Sequence, residues 1–458
     1  MEKSMYETDD IIFALATAWG TGALAVIRIS GKGCVAALAP CFSRSEALLA
    51  APTHRNVYGV LFDPQDGKAV DQVVVAVYRD GHGYTGEESA ELSCHGSIPG
   101  VEAILGLLGR AGMRPANPGE FTFRAFMHGK IDLTRAEAVQ EIVGARSRTA
   151  QSLALNRLEG ALFTVLEEIK GQVLDALSVV EVQLDYAEDE IGGDTSFPFD
   201  TIVSAKDRID TLVSTYGVGR LYSQGARIVL AGSTNAGKST LFNLLLKQER
   251  SIVSDIRGTT RDFIEAEAVV GGVPVRLYDT AGLRKSTDAL EQEGIRRTGY
   301  LIEQADLILL MLDGTDQLDG TTEQAIGITA LKKDPRCIVV WNKTDIAGEV
   351  VPDGSFPLSA KQGRGFAGLQ AEIVRRLKKG AGAPGDDGLV IESTRQRDEL
   401  VRASEALEAT LRLAHEGLPL DIVAIEMNEA INALGSLTGE VASTDILEHI
   451  FSGFCVGK

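Results

Sequence analysis

Eight residues in the middle of this chain, Gly232-Ser-Thr-Asn-Ala-Gly-Lys-Ser239, have the types and spacing to hold a polyphosphate. They follow the apolar run Arg227–Ala231 directly, so they read as a loop between a buried strand and a helix. The glycines let the backbone N–H groups of Asn235, Ala236, Gly237, Lys238, Ser239 and Thr240 turn inward around phosphate oxygens. Lys238 adds a point charge for the β- and γ-phosphates, and the Ser239 hydroxyl suits Mg²⁺. At ordinary residue frequencies such a pattern arises by chance in roughly one to two chains of this length per hundred.

Three further motifs follow in the order that a GTP site needs. Thr259 and Thr260, in Gly258-Thr-Thr-Arg-Asp262, lie where a switch segment supplies a hydroxyl to the metal. Asp279, followed by Thr280, Ala281 and Gly282, comes after the strand-like Val275–Tyr278, from which the carboxylate can hold the water shell of Mg²⁺ and the Gly282 N–H can meet the γ-phosphate. Asn342-Lys343-Thr344-Asp345 follows the strand-like Cys337–Trp341, and its aspartate suits the two N–H groups on the edge of guanine. Ser359 and Ala360 open the loop expected under the base, with the Ala360 N–H aimed at the guanine O6.

Leu283 stands where small GTPases place the glutamine that orients the attacking water. Other groups must do that work. The candidates are Glu291 or Glu293, an arginine such as Arg261, or a monovalent cation near the phosphates. The Asn235 carboxamide could ligate such a cation or simply fill the loop.

These motifs need elements to position them, and the chain is long enough to supply several domains. Its 458 residues carry a net charge of −19 and 44% apolar residues, with a mean hydropathy of +0.04. So acidic a chain is poorly suited to gripping nucleic acid nonspecifically. Between residues 110 and 160, however, eight basic residues face five acidic ones, a local surplus of three that could form a small basic surface or a mixed, solvated helix face. Five scattered cysteines without C-x-x-C spacing argue against a disulfide framework or a zinc site. No apolar run approaches the roughly 20 residues of a membrane helix, and the first residues lack the order of a signal peptide. A cytoplasmic protein with no membrane association is the expectation.

Strands are expected at Ala23–Ile29, Val57–Phe62, Val70–Tyr78 and Ala90–Cys94, with a helix over Ile98–Arg110, which makes a compact α/β domain. Thr134-Arg-Ala-Glu137 reads as a capping box that opens long amphipathic helices through about Glu190. Another helix ends near Tyr216, and helical periodicity resumes over Thr394–Ala414 and Leu420–Leu434. Helices on both sides of the nucleotide domain, each needing an apolar partner, imply one bundle into which that domain is inserted. The boundaries expected are 1–125 for the α/β domain, 126–222 for the first helical part, 223–382 for an α/β P-loop, Ras-like GTPase domain, and 383–458 for the second helical part. Cys94 and His95 are adjacent on a strand and must face opposite sides, so a structural role is expected for the pair.

With these motifs placed, the whole chain resembles the tRNA-modification GTPase family MnmE, also called TrmE. The matching segments include Ile27-Arg-Ile-Ser-Gly31, Tyr84-Thr-Gly-Glu87, Glu91-Leu-Ser-Cys-His-Gly96, Asn117-Pro-Gly-Glu-Phe121, Lys130-Ile-Asp-Leu133, Asp279-Thr-Ala-Gly-Leu-Arg284 and the terminal Phe454-Cys-Val-Gly-Lys458. The chain departs from the family at Ala16–Ala25, where members carry a loop rich in proline, glycine and arginine, and at Thr234, a common proline.

The resemblance implies a folate-binding amino-terminal domain that also forms a homodimer, a discontinuous helical bundle, and a GTPase activated by K⁺ when two GTPase domains meet. By that likeness Asn235, Ser254, Ile256 and Thr259 would hold K⁺, Ser239 and Thr260 would hold Mg²⁺, and Glu291 would place the hydrolytic water. The GTP site would extend through Asp255, Arg257, Gly258 and Lys343. Arg28, Glu91, Lys130 and Lys458 would bind a tetrahydrofolate derivative, 5-formyl or 5,10-methylene, near Cys455, which is either reactive or a partly buried small side chain. With an FAD-dependent partner, in a heterotetramer, such an enzyme would add a carboxymethylaminomethyl or aminomethyl group to carbon 5 of the wobble uridine of certain tRNAs. Two other readings remain beside it: a GTP-controlled ribosome-assembly or interaction GTPase, and a folate-dependent transferase that carries only a regulatory GTPase domain.

Overall fold

The computed structural model describes residues 6, 9–185, 196–233, 235–248, 264–279, 299–315, 331–347, 351–382 and 388–457. The chain divides into two compact units. The first comprises Met1–Gln140, Arg157–Glu168 and Asn432–Lys458, and the second Glu141–Asn156 and Ile169–Ile431.

The first unit is built on a six-stranded sheet of β1 (Ile12–Leu15), β2 (Leu24–Ser30), β3 (Arg55–Phe62), β4 (Ala69–Tyr78), β5 (Ser89–His95) and β6 (Arg114–Pro115), in the order β3-β4-β5-β2-β1-β6. All pairings are antiparallel except β1 with β6. The strands alternate, so Ile27, Ile29, Val73, Val75, Val77, Ala90 and Leu92 point into one core with Ile104, Leu107 and Leu108 of the helix Ile98–Arg110. That helix starts at Ser97, whose hydroxyl accepts from Gly100 N at 3.2 Å. The opposite face carries Arg28 and Glu91, which the β2–β5 register places directly across from each other.

A second cluster anchors the carboxyl terminus in this unit. Phe451 and Phe454, at and beyond the end of the helix Thr444–Ser452, pack with Tyr6, Phe123 and Leu133. Gly119 (φ 69°) permits the approach, because a Cβ there would lie 2.4 Å from the Phe451 carbonyl oxygen. The terminal residues are thereby led to β1, where a Cβ on Gly457 would meet the Leu15 carbonyl at 2.5 Å.

Beneath β1 and β2 lies a buried charged network. Arg124 is fully buried and pairs with Asp10 (2.5 Å), Glu87 (3.3 Å) and the equally buried Glu120 (3.2 Å), while Arg114 pairs with Asp10 and Glu120. Breaking such a network leaves carboxylates without their cation, so Arg124→Ala is expected to cost about 3–5 kcal/mol of stability, read from urea titration. Burial pushes the Asp10 carboxyl up, but the hydrogen bonds and charges of Arg114 and Arg124 outweigh it and hold the group below its ordinary value. Its contribution is therefore present at neutral pH and lost as pH falls through the lowered value.

Of the charged residues between 110 and 160, the basic Arg124 and Arg157 are buried, and so are the acidic Glu120 and Glu137, so the local surplus of three persists among the others. One expectation is corrected here, and it concerns the capping box. Thr134 is buried inside the helix Leu133–Gly144, and Asp132 is the cap, its Oδ1 accepting from Thr134 N at 2.9 Å and Arg135 N at 3.1 Å. A carboxylate preceding the helix reaches its free N–H groups directly, so the threonine two residues later lies within the first turn rather than at the cap. Cys94 and His95 do face opposite sides: the thiol is buried and donates toward Ala25 O, while the imidazole is exposed and pairs with Asp71 at 2.7 Å.

The second unit contains the sheet β7 (Ala226–Gly232), β8 (Ile264–Val270), β9 (Val273–Asp279), β10 (Leu307–Asp313), β11 (Cys337–Asn342) and β12 (Phe356–Pro357), in the order β12-β11-β10-β7-β9-β8. It is parallel apart from the β8–β9 hairpin. All seven residues of β10 are buried, as expected of a strand covered on both faces. The helix Tyr216–Gln224 leads into β7, following the helix Phe199–Ser214 where one helix ending near Tyr216 was expected. Phe199–Ser214 packs on Thr394–His415, with Ser404 Oγ donating to Asp210 at 2.5 Å. Helices that precede and follow the nucleotide domain in sequence are thus joined in one unit.

Candidate functional site

The parallel strands deliver their carboxyl ends to one edge of the sheet, where open α/β sheets bind ligands. β7 ends at Gly232, β9 at Asp279, β10 at Asp313 and β11 at Asn342. Gly232 adopts φ 135°, and a Cβ there would sit 2.1 Å from the Met311 carbonyl oxygen. The loop then turns through Asn235 at φ 67°, leaving its side chain exposed, and enters the helix Lys238–Gln248. Lys238 is almost wholly buried and donates to the carbonyls of Gly232 (2.9 Å) and Ser233 (2.6 Å).

Ser239 Oγ donates to Asp279 Oδ2 at 2.9 Å, which brings a hydroxyl and a carboxylate from two motifs 40 residues apart to one point. That pair of hard oxygen donors fits Mg²⁺. Among the K⁺ candidates only Asn235 is described, and its exposed carboxamide on a left-handed backbone is compatible with a cation ligand. Thr234, Ser254, Asp255, Ile256, Arg257, Gly258, Thr259, Thr260, Arg261, Thr280, Ala281, Gly282, Leu283, Glu291, Glu293 and Lys458 lie outside the described residues.

Asn342 ties the phosphate loop to the base side of the site. Its Nδ2 donates to Ala236 O at 2.8 Å and its Oδ1 accepts from Ala360 N at 3.0 Å. The Ala360 N–H is therefore engaged by Asn342 here, and a Cβ on Gly237 would collide with the same carboxamide. Ser359 Oγ donates to Asp345 Oδ1 at 2.7 Å, and this bond holds the Asp345 carboxyl below its ordinary range. Asp345 is thus a carboxylate at neutral pH, with Oδ2 left to accept. Lys343, at φ 64°, pairs with Asp313, which also accepts from the Thr315 hydroxyl at 2.7 Å. Burial raises the Asp313 carboxyl, but those bonds prevail and lower it.

A separate cavity of about 150 Å³ opens in the first unit, lined by Arg28, Tyr78, Tyr84, Thr85, Ser89 and Glu91. Arg28 donates through Nε (3.1 Å) and Nη2 (2.9 Å) to Glu91 Oε1, and through Nη1 to Gly457 O (3.2 Å). Its guanidinium also lies over the Tyr84 ring at 5.2 Å. Two expected folate residues and the terminal segment therefore meet at one point. Lys130 donates to Gly81 O at 3.0 Å and His128 contacts Thr85 O at 2.9 Å through Nδ1, so both are bound to the segment that carries Tyr84 and Thr85. Cys455 is exposed, and its carbonyl accepts from Gly119 N at 3.5 Å. Its side chain is not the partly buried one of the bland alternative.

A parallel sheet with a phosphate loop after its central strand, a hydroxyl–carboxylate pair for a hard cation and a tethered aspartate define a P-loop GTPase. Family models match the chain over nearly all of its length: the GTP-binding protein TrmE N-terminus over residues 11–130 and the MnmE helical domain over residues 133–455. The chain belongs to the MnmE family. It is 39% identical to the tRNA modification GTPase MnmE of Treponema denticola over 473 aligned residues covering all of both chains, and 38% identical to that of Borrelia recurrentis over 99% of each. Among solved structures it is similar to the G domain of the T. maritima FeoB iron transporter, at 23% identity over 33% of this chain and 99% of that one, with a TM-score of 0.26.

Sequence reasoning missed Asp313, Tyr78 and Ser89. Asp313 carried a signal, a carboxylate closing an apolar run at a strand end. Tyr78 and Ser89 carried none, because only strand pairing brings them beside Arg28. No helix among the described residues is long and apolar enough to cross a membrane, and no cluster of three or more His, Cys, Asp or Glu among them could hold a metal.

Proposed function

We propose that the chain hydrolyses GTP to time a one-carbon addition to carbon 5 of the wobble uridine of certain tRNAs, using a tetrahydrofolate derivative. It does so as a homodimer with an FAD-dependent partner. Membership of the family makes it an enzyme of GTP hydrolysis in tRNA modification. The observation that carries the reading is the Asn342 bridge, which makes the phosphate loop and the base loop one rigid cradle around Asp345. A loop held in this way keeps its N–H groups in place before the phosphates arrive, and such preorganisation is the main source of catalysis in phosphoryl transfer.

In this proposal Lys238 and the loop N–H groups hold the phosphates, Ser239 and Asp279 serve Mg²⁺, and Asp345 accepts from guanine. Held there, Mg²⁺ would neutralise charge that develops on the phosphates. Asn235 contributes to a K⁺ site, with Ser254, Ile256, Thr259 and Glu291 in the roles the family resemblance gives them. Arg28, Glu91, Lys130 and Lys458 serve the folate. The Arg28–Glu91 pair supports this half: Oε1 takes both guanidinium bonds, leaving Oε2 to accept from an N–H edge beside two aromatic rings. The ribosome-assembly alternative gives this cluster no purpose.

The test is GTP hydrolysis by the full chain in KCl and in NaCl, with and without Asn235→Ala. The expected result is a rate at least about tenfold higher in KCl, the loss of one ligand-stabilised contact worth about 1.4 kcal/mol, and no salt preference in the variant. Equal rates in the two salts for the unaltered chain would overturn the cation mechanism.

A further inference from the structure

Thr85 lines the Arg28–Glu91 cavity, yet its hydroxyl belongs to a chain of buried hydrogen bonds running into the interior. Ser30 Oγ lies 2.9 Å from Glu87 Oε2 and 2.6 Å from Thr85 Oγ1. Glu87 in turn lies against the fully buried Arg124 at 3.3 Å. Ser30 and Thr85 are almost wholly buried, so the direction of each bond follows from counting hydrogens.

A carboxylate only accepts, so the single Ser30 hydrogen goes to Glu87. The 2.6 Å contact then needs the Thr85 hydrogen, which goes to Ser30. Any other assignment sets two oxygens against each other without a proton between them, a costly arrangement in a buried site. Thr85 Oγ1 also accepts from Glu87 N at 3.3 Å. It keeps one lone pair and no hydrogen.

We propose that this relay, Thr85 to Ser30 to Glu87, fixes Thr85 as an acceptor toward the cavity and thereby selects ligands that present neighbouring N–H donors. Glu91 faces the same space as a second acceptor, since Arg28 saturates only its Oε1. Each nitrogen of Arg28 directs one N–H at Glu91 or Gly457 O, three of its five donors in all. The ligand class is an amino-substituted heteroaromatic ring with an amidine-like edge, such as the 2-amino-4-oxo head of a pterin. A single water needs about 10–15 Å³ on the same measure. The cavity of about 150 Å³ therefore has room for a two-ring head with its tail outside. Ser30 and Glu87 act through Thr85 and are positioning residues. The inference rests on the folate reading above and deepens it.

The experiment is calorimetric titration of the full chain with 5-formyltetrahydrofolate and with its 2-desamino analogue, which loses the amino donors of that edge and keeps only the ring N3–H. The unaltered chain is expected to prefer the parent compound by roughly tenfold to a hundredfold, the value of a hydrogen bond to a charged or strongly polarised acceptor. Thr85→Val should reduce that preference to within about threefold, because the acceptor is gone. Ser30→Ala should reduce it too, because the freed Thr85 hydroxyl can turn its hydrogen into the cavity. Thr85→Ser should restore it, which a merely structural role would not require. Should Thr85→Val fail to fold, Ser30→Ala and Thr85→Ser still decide the matter. Equal affinity of the unaltered chain for both compounds, or undiminished preference in folded Thr85→Val or Ser30→Ala, would overturn the relay and leave the folate reading standing. Binding of neither compound would overturn both.

Discussion

Asp345→Asn is expected to turn the nucleotide preference of this chain from guanosine toward xanthosine triphosphate. In the unaltered chain Ser359 holds Asp345 as a carboxylate with one oxygen left to accept, and the N1–H and 2-amino groups of guanine are the donors it matches. Two hydrogen bonds to a charged acceptor are each worth about 1.5–3 kcal/mol, so their loss should weaken GTP binding by roughly 10²–10⁴-fold. The asparagine amide would instead donate to the carbonyl that xanthine carries at position 2, while Ser359 can still donate to its oxygen. Titration of the full chain with both triphosphates checks this, and an undiminished preference for GTP would show that the base is read elsewhere. The same carboxyl sets the pH response. Its value is lowered by Ser359, so the preference for GTP over other purine triphosphates should not change near neutral pH and should decline only as acid protonates this carboxyl, below the ordinary carboxylate range.

Lys238→Ala should have the second large effect, a loss of GTP hydrolysis of about 10²–10³-fold. The ammonium is almost wholly buried at the end of β7 and is held by the Gly232 and Ser233 carbonyls, so it is already in the loop that a triphosphate would enter. A charge positioned in advance costs no reorganisation when negative charge develops on the transferring phosphoryl group. Lys238→Arg should rescue little, because a planar guanidinium cannot occupy the site of a compact ammonium. Single-turnover hydrolysis at saturating GTP separates this loss from weakened binding, and a rate within about threefold of the unaltered chain would remove Lys238 from the chemistry.

Much of the architecture was legible from local pattern. The helix expected over Ile98–Arg110 has those bounds in the structure, and each of the four strands expected in the amino-terminal domain is present to within two residues. Alternation of apolar residues sets the buried face of a strand, and a register slip would turn the whole set outward, so the signal is strong. The short strands β1 and β6 escaped notice because four and two residues carry too little periodicity. The Thr134 assignment failed for a different reason: two adjacent residues could both cap, and only the folded backbone shows that Asp132 reaches the free N–H groups.

The sequence by itself determined the chemistry of the nucleotide site, since a phosphate loop is made by residues contiguous in the chain and its glycines, lysine and hydroxyl carry their roles with them. It also determined that helices flanking the inserted domain needed one another, because each has an apolar face to bury. Only the tertiary structure decided which charges are internal, that Asn342 joins two loops, and that Arg28 holds both Glu91 and the carbonyl of Gly457, 429 residues away. Those facts depend on strand register and on where the chain returns in space. Neither is encoded in any stretch short enough to read.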